Sequence, residues 1–312
     1  MTKISVIVPA YNAGRSIERC LRSALEQDFD SFEVVAVDDG SVDSTSSVIA
    51  RLAEGDPRLK HLRQANGGQS AARAAGVRAA TGEWIYFLDS DDEIMPDALS
   101  SMYAHAGSGI DAVVFESRLR GRMTRVDFCC ELLRFQSWQL WGKLWRRALF
   151  DKWAMSVPRF FTTGEDFITQ LRLLANMEAD VVCLPERKYM YQENSPTSIS
   201  RAARPDYAYE KSMILEVERC VERIGGDAGT ALRHWQLVYL AGMMGLGYRI
   251  DCHDSWIERV RAWSEGAELS RRERLAIKAI DAPLLRLPFV FEKQAKRVAR
   301  RIIDKLKPCS RP

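Results

Sequence analysis

Residues 82–92 read Gly-Glu-Trp-Ile-Tyr-Phe-Leu-Asp-Ser-Asp-Asp, and this segment decides the fold. Its five consecutive apolar residues, Trp84 to Leu88, predict a β-strand that runs directly into an acidic turn. A strand without polar alternation is buried on both faces, which is typical of a parallel sheet covered by helices. The segment therefore predicts an α/β fold with carboxylates at the end of a central strand.

The same arrangement recurs along the rest of the first 200 residues. Residues 4–8 form an apolar run that ends at Pro9, Ala10 and Tyr11, and residues 34–37 form one that ends at Asp38 and Asp39. Helical apolar periods separate these strands, and later strands are predicted at residues 112–115 and 181–184. Such an alternation predicts a mostly parallel sheet with helices on both faces. Its ligands are expected beyond the carboxyl ends of the strands.

The composition is that of an ordinary globular protein. The chain has 312 residues, of which 46% are hydrophobic and 28% are charged, so disorder and a small disulfide scaffold are excluded. Seven cysteines without a CxxC pair indicate free thiols rather than a zinc site. Neither a signal peptide nor an apolar run long enough to span a bilayer is recognisable, which predicts a cytoplasmic location.

The acidic turn after Leu88 predicts a metal site. Asp89 and Asp91 are separated by one residue, so both carboxylates can reach one Mn²⁺ or Mg²⁺ ion. The alternative is a solvated acidic turn before a helix. A second acidic strand end at Asp38 and Asp39, without a GxGxxG or GxxxxGK motif, favours a nucleotide whose charge a metal neutralises.

Four segments resemble, in order, the successive motifs of family 2 glycosyltransferases. They are Val6-Ile7-Val8-Pro9-Ala10-Tyr11-Asn12, Val37-Asp38-Asp39-Gly40-Ser41, Asn66-Gly67-Gly68-Gln69-Ser70-Ala71-Ala72-Arg73 with Gly76, and residues 82–92. The resemblance implies a GT-A fold, which is Rossmann-like, and an inverting transfer of sugar from a nucleotide-sugar, expected to be a UDP-sugar. A C-terminal helical region is expected after this domain.

The resemblance also implies roles for individual residues. Pro9, Ala10 and Tyr11 would line the nucleotide pocket together with Asp38 and Asp39. Asp39 would accept a hydrogen bond from the base, as a carboxylate can from uracil N3–H. Asp89 would contact the ribose or the metal, and Asp91 would bind the metal.

A later segment, Gly164-Glu165-Asp166, matches the family motif whose final Asp is the catalytic base. Glu165 and Asp166 can also cap the helix that follows, and the two roles are compatible. Further on, Gln192 stands where the family commonly has Arg. Lys188 or Arg201 is therefore expected to contact the diphosphate.

An aromatic and basic patch covers residues 138–147. Trp141 and Lys143 resemble a family segment on the acceptor side, and the tryptophans could stack on sugar rings. The alternative for this patch is a core helix with the long basic side chains reaching solvent.

The charge is unevenly distributed along the chain. The formal net charge is +3, yet residues 271–307 alone carry +8. We expect a catalytic domain at residues 1–204 and a helical region at residues 205–312. Helices are predicted at residues 206–224 and 228–264, with a break at Gly225-Gly226, and the region ends in a basic amphipathic helix from about Phe289 to Leu306. Residues 286–307 could bind an anionic membrane surface on the inner face of the cytoplasmic membrane, or pack on the protein. Nucleic-acid binding is not expected, because no recognisable module is present.

The expected substrates are a nucleotide-sugar donor and a glycan or lipid-linked acceptor. Two other functions stay open at this point. One is an inactive peripheral membrane or scaffold protein with a transferase-like domain. The other is a nucleotidyltransferase, which would release pyrophosphate from a nucleoside triphosphate.

Overall fold

The computed structural model describes residues 2–135, 138–192, 206–286 and 288–289. The chain divides into two compact units, Met1–Ala203 and Arg204–Pro312. The first unit is built on β-strands with helices around them. The second unit, as far as it is described, is helical.

Strands and helices alternate through the first unit. Its described strands are β1 (Ile4–Ala10), β2 (Phe32–Asp38), β3 (Leu59–Arg63), β4 (Trp84–Phe87), β5 (Glu93–Ile94), β6 (Ile110–Phe115), β7 (Gly121–Met123), β8 (Lys143–Arg146), β9 (Asp180–Leu184) and β10 (Tyr189–Met190). Its described helices are α1 (Ile17–Leu25), α2 (Thr45–Gly55), α3 (Gln69–Ala79), α4 (Ala98–Tyr103), α5 (Arg125–Phe135) and α6 (Glu165–Asn176), with a 3₁₀ turn at Arg147–Leu149.

Eight of these strands form one sheet in the order β3-β2-β1-β4-β8-β6-β9-β7. The pairs β3-β2, β2-β1, β1-β4 and β6-β9 are parallel. The predicted mostly parallel α/β sheet is thereby confirmed. The carboxyl ends of β1, β2 and β4 lie side by side, so the three chemically rich strand ends share one edge.

Part of the aromatic and basic patch is a β-strand and not the helix that one of its two interpretations predicts. Residues 143–146 form β8, which pairs antiparallel with β4 on one side and with β6 on the other. The core-helix alternative for these residues is therefore wrong. The physical reason is that residues 143–146 lie between two strands, so their backbone groups pair with β4 and β6, and Leu144 and Trp145 are completely buried in the middle of the sheet.

Helices cover both faces of the parallel half of the sheet, as predicted. Val6 and Val8 point to the face that packs with α1. Ile7 and Val37 lie on the other face, beneath α3, where an added Cβ at Gly76 would come within 2.4 Å of the Ile7 side chain. The missing side chain at Gly76 lets α3 approach the strands closely.

The second unit contains α7 (Tyr207–Ile224), α8 (Ala228–Leu246), α9 (Ser255–Ser264) and α10 (Arg271–Asp281) among the described residues. The predicted break at Gly225-Gly226 is confirmed, and both residues have positive φ. The single helix predicted at residues 228–264 is wrong. Gly247 adopts φ of 84° and ends α8, because its N–H bonds back to the carbonyls of Met243 and Met244.

The membrane-related predictions concern membrane-spanning helices and the basic C-terminal segment. Within them, no helix combines the length and the apolar character that crossing a bilayer requires. The predicted basic helix from Phe289 to Leu306 lies outside the described residues except for its first residue. Binding of residues 286–307 to an anionic membrane surface accordingly stays a prediction.

Candidate active site

The ends of β1 and β2 are tied together by short polar contacts. Asn12 has a left-handed backbone with φ of 49°, which is uncommon for a residue other than glycine. Its side-chain oxygen accepts from Val42 N at 3.0 Å, and its N–H donates to Ser41 Oγ at 3.0 Å. Beside this junction Pro9 and Ala10 are buried in β1, whereas Tyr11 is 51% exposed. The ring of Tyr11 is thus available at the rim of the predicted nucleotide pocket.

Asp38 closes the turn after β2. It is completely buried, and its Oδ1 accepts from Ser41 N at 2.9 Å. Arg63 Nε lies 3.3 Å from its Oδ2. The turn also depends on Gly40, where φ is 76° and a Cβ would come within 2.9 Å of Asn66 N. The buried Asp38 carboxylate therefore stabilises the turn after β2 and is not exposed on the surface of that turn.

Asp39 holds the loop that precedes α3. Its Oδ1 accepts from Gln64 Nε2 at 2.7 Å and from Gly67 N at 2.8 Å, and its Oδ2 accepts from Gly68 N at 2.8 Å. A carboxylate offers about four lone-pair sites, so one site on Oδ2 is left for a ligand. Asp39 can therefore position the loop and still accept one hydrogen bond from a base.

The acidic turn after β4 contains three carboxylates in different environments. The Asp91 carboxylate makes no hydrogen bond or ion pair with any described residue. Asp92 is buried and accepts from Tyr189 Oη at 2.7 Å and from Gln192 N at 2.8 Å. Burial raises the pKa of Asp92 to about 7. Asp91 is thus the carboxylate of this turn that is ready to bind a cation.

Arg73 joins the acidic turn to the start of α6. Its Nη2 donates to Asp89 Oδ1 at 3.0 Å, and its Nη1 donates to Asp166 Oδ1. The guanidinium is almost fully buried and lies over the ring of Phe87. Burial disfavours the cation, but Asp166 and Asp89 raise the pKa of Arg73 above its usual value. Arg73 is therefore charged and brings Asp89 and Asp166 to one point.

The helix α3 explains how an arginine reaches this position. Arg73 lies on the buried side of α3, one turn before Gly76, and helix side chains lean toward the N-terminus. The N-terminus of α3 lies beside the acidic turn, where Gln69 Nε2 also donates to Asp89 Oδ1 at 3.1 Å. Gln69 and Arg73 are four residues apart and so share one face of the helix.

The predicted base lies at the first turn of α6, after the left-handed Gly164. Asp166 Oδ2 accepts from Leu140 N at 3.2 Å, which fixes the second oxygen of the carboxylate. Burial raises the pKa of the neighbouring Glu165 to about 7, and the charge of Asp166 adds to the effect. Glu165 also lines a cavity of about 330 Å³ between residues 67–71 and 155–165.

The two predicted acceptor residues have different surroundings. Trp141 stacks on Tyr189 with ring centroids 4.2 Å apart and on Tyr191 at 5.9 Å. Lys143 is buried, and its Nζ donates to the carbonyl of Gln139 at 2.5 Å. Burial lowers the pKa of Lys143 to about 8. Trp141 is therefore linked to the acidic turn through Tyr189, whereas Lys143 is directed at the main chain.

The donor set fits a divalent cation that is shared with a ligand. Among residues 2–135, 138–192, 206–286 and 288–289, no group of three His, Cys, Asp or Glu side chains is arranged to enclose a metal ion. The Asp91 carboxylate has no partner among the described residues. Asp89 lies two residues before Asp91, in the turn after β4. Mg²⁺ typically takes one or two carboxylates and completes its shell with water and phosphate oxygens.

The structure brings two further side chains, Arg73 and Tyr189, into the candidate site. Arg73 belongs to the third motif segment, and Tyr189 lies outside all four segments; its Oη accepts from Asp89 N and donates to Asp92. Lys188 and Arg201 are the two residues expected to contact the diphosphate: Lys188 pairs with Asp97 and Glu186 at 2.7 Å, and Arg201 lies outside the described residues. A signal for Arg73 was present: a charged residue on the small-residue face of α3 must have buried partners.

Comparison with known proteins identifies the family. The sequence matches the family described as "Glycosyl transferase family 2" over residues 5–164, about half of the chain. The chain belongs to glycosyl transferase family 2. The match covers all four motif segments and extends from the second residue of β1 through β8, and it ends at Gly164, one residue before the helix that begins with Glu165 and Asp166.

Relatives and solved structures agree with this family. An uncharacterized glycosyltransferase, EpsJ of Bacillus subtilis, is 31% identical over 63% of this chain and 62% of its own length. A Campylobacter jejuni protein named GalNAc(5)-diNAcBac-PP-undecaprenol beta-1,3-glucosyltransferase is 38% identical over 35% of this chain and 36% of its own length. The chain thus spans less than two thirds of either relative.

The crystal structure of S. aureus TarS 1-349 in complex with UDP-GlcNAc is similar to this chain with a TM-score of 0.71. It is 21% identical in sequence, and the match covers 94% of this chain and 92% of that chain. At this identity the likeness concerns the fold. The GT-A fold that the sequence predicted is confirmed.

Proposed function

We propose that this protein transfers a sugar from a nucleotide-sugar, most simply a UDP-sugar, to a hydroxyl of a glycan or lipid-linked acceptor, with inversion at the anomeric carbon. The observation that carries the proposal is the double ion pair of Arg73. It brings the acidic turn and Asp166, which are 77 positions apart in the sequence, to the two terminal nitrogens of one guanidinium. A proposed metal-binding carboxylate and a proposed base that are held by the same cation suit a single displacement.

The residues would act as follows. Pro9, Ala10 and Tyr11 line the pocket for the base, and Asp39 accepts from it with its remaining lone pair. Asp166 takes the proton from the acceptor hydroxyl while that oxygen bonds to the anomeric carbon and the bond to the diphosphate breaks. A divalent cation held by Asp91 and Asp89 would supply charge stabilisation for the departing diphosphate.

The relatives support the substrate class of this proposal. The TarS structure was obtained with UDP-GlcNAc, and the Campylobacter relative is named for an acceptor linked to undecaprenol through PP. Trp141, stacked on Tyr189 beside the acidic turn, is the aromatic surface proposed to contact the acceptor. Lys143 donates to the carbonyl of Gln139, so it would affect the acceptor only indirectly, by fixing the position of this segment of the main chain.

The test compares the wild type with Asp166→Asn, using UDP-sugars and Mn²⁺. Loss of a general base is expected to slow UDP release by about 10²–10⁴-fold. UDP affinity is expected to stay within about threefold, because Asp166 does not contact the base or the metal in this proposal. The matched control is Asp28→Asn, an exposed carboxylate before β2 at the opposite edge of the sheet. Turnover by Asp166→Asn at the wild-type rate would show that Asp166 is not the base.

The same experiment separates the other two functions. A scaffold protein with an inactive domain would release no UDP from any UDP-sugar. A nucleotidyltransferase would release pyrophosphate from a nucleoside triphosphate and leave UDP-sugars intact.

A further inference from the structure

Arg73 shares its charge between two carboxylates that have different proposed tasks. Asp89 belongs to the proposed metal site, and Asp166 is the proposed base. The side chain of Arg73 is 4% exposed, so water contributes little to its solvation. Its Nε is buried and has no hydrogen-bond partner among the described residues. An arginine with a purely structural role would be expected to have all its buried N–H groups paired.

The charge balance around Arg73 changes when a metal binds. Arg73 faces three carboxylates, those of Asp166, Asp89 and Glu165. Lys143 is a second cation whose field reaches Asp166, but its ammonium is bound to the main chain. A divalent cation at Asp89 would compete with Arg73 for the same carboxylate, and two cations that share a buried anion repel each other.

We propose that Arg73 is a positioning residue that serves as the counter-ion of Asp89 in the metal-free protein, yields Asp89 to a divalent cation, and keeps hold of Asp166. The proposal rests on the function proposed above. Arg73 then weakens metal binding to the nucleotide-free protein and keeps Asp166 oriented once the metal and donor are bound. The Nε of Arg73 has no hydrogen-bond partner among the described residues. It is therefore a free donor that can form a new hydrogen bond when Nη2 leaves Asp89.

Binding of Mn²⁺ without nucleotide tests this directly, by electron paramagnetic resonance of free and bound ion. Arg73→Gln is expected to bind Mn²⁺ about tenfold more tightly than the wild type, because a competing cation is lost. The same variant is expected to release UDP from a UDP-sugar much more slowly, because Asp166 loses its anchor. If Arg73 had only a structural role, Arg73→Gln would lower both the Mn²⁺ affinity and the rate of UDP release.

The matched control is Arg78→Gln, which removes the same charge from an exposed position at the other end of α3. Its Mn²⁺ affinity is expected to stay within about twofold of the wild type. Arg73→Lys keeps the charge, so its Mn²⁺ affinity should resemble that of the wild type. One ammonium cannot reproduce the fork of a guanidinium across two carboxylates, so UDP release by Arg73→Lys should stay below the wild-type rate.

Three results would overturn the proposal. The first is Mn²⁺ affinity of folded Arg73→Gln equal to or below that of the wild type. The second, which also decides the matter if Arg73→Gln does not fold, is wild-type UDP release by Arg73→Lys. The third is a wild type that binds no Mn²⁺ even with UDP present, and this result alone would also overturn the metal role in the proposed function.

Discussion

Replacement of Asp39 by Asn tests how the nucleotide pocket is built. The Asp39 carboxylate receives three hydrogen bonds, from the side chain of Gln64 and from the N–H groups of Gly67 and Gly68. An asparagine has the same shape but only one oxygen. Whichever way the amide is turned, at least one of the three donors meets an NH₂ group instead of an acceptor.

The magnitude follows from the lost contact. With the amide oxygen in the Oδ1 position, the bonds from Gln64 and Gly67 survive and the N–H of Gly68 loses its acceptor. A hydrogen bond to a charged group contributes about 1.5–3 kcal/mol, and a buried donor without a partner costs about 1–3 kcal/mol. We expect Asp39→Asn to lower the free energy of unfolding by about 2–3 kcal/mol in the absence of ligand. For a unit of this size the corresponding shift in Tm is about 4–12 °C.

Urea unfolding followed by far-ultraviolet circular dichroism, without nucleotide or metal, measures this change. Asp91→Asn is the matched control, because the Asp91 carboxylate makes no hydrogen bond or ion pair with a described residue. Its stability should stay within about 0.5 kcal/mol of the wild type. If Asp39→Asn is as stable as Asp91→Asn, Asp39 does not hold the loop before α3 and the reasoning is wrong.

Two further predictions concern stability. Gly76→Ala should lower the free energy of unfolding by about 1–3 kcal/mol, because the new Cβ would meet Ile7 at 2.4 Å. The control, Gly55→Ala, has open space around its new Cβ and should not lower the free energy of unfolding. Equal urea midpoints for the two variants would contradict the close packing of α3. For Asp92, the raised folded pKa of about 7 means that the folded state keeps a proton which the unfolded carboxyl, with a pKa near 3.8, releases. The wild type should therefore lose stability relative to Asp92→Asn as the pH rises from about 4 to 7, by at most about 4 kcal/mol, and a stability difference that does not vary with pH would refute this.

Strand ends and their carboxylates could be predicted from the sequence because both are local patterns. The apolar run from Trp84 to Leu88 and the acidic turn behind it specify a buried strand and its exit without reference to the rest of the chain. The parallel order of β1, β2 and β4 follows from the alternation with helices. The sequence therefore predicts that Asp38, Asp39, Asp89 and Asp91 lie at one edge of the sheet.

Elements defined by distant partners could not be predicted in the same way. β8 is four residues long and is specified by β4 and β6 on either side, so its own pattern suits a helix or a strand equally. The ion pair of Arg73 with Asp166 joins residues 93 positions apart. The break after α8 depends on a left-handed Gly247 in a segment that is otherwise apolar and helix-like.

Isothermal titration calorimetry of UDP into the wild-type protein, with Mn²⁺ and then with a chelator, tests the central claim most directly. If the carboxyl edge of the sheet is a nucleotide-sugar site with a shared metal, UDP binds one to one and binds about tenfold or more tightly with Mn²⁺ than without it. Asp91→Asn should abolish this gain. UDP binding that is equally strong with the chelator, or no UDP binding in the presence of Mn²⁺, would contradict the account.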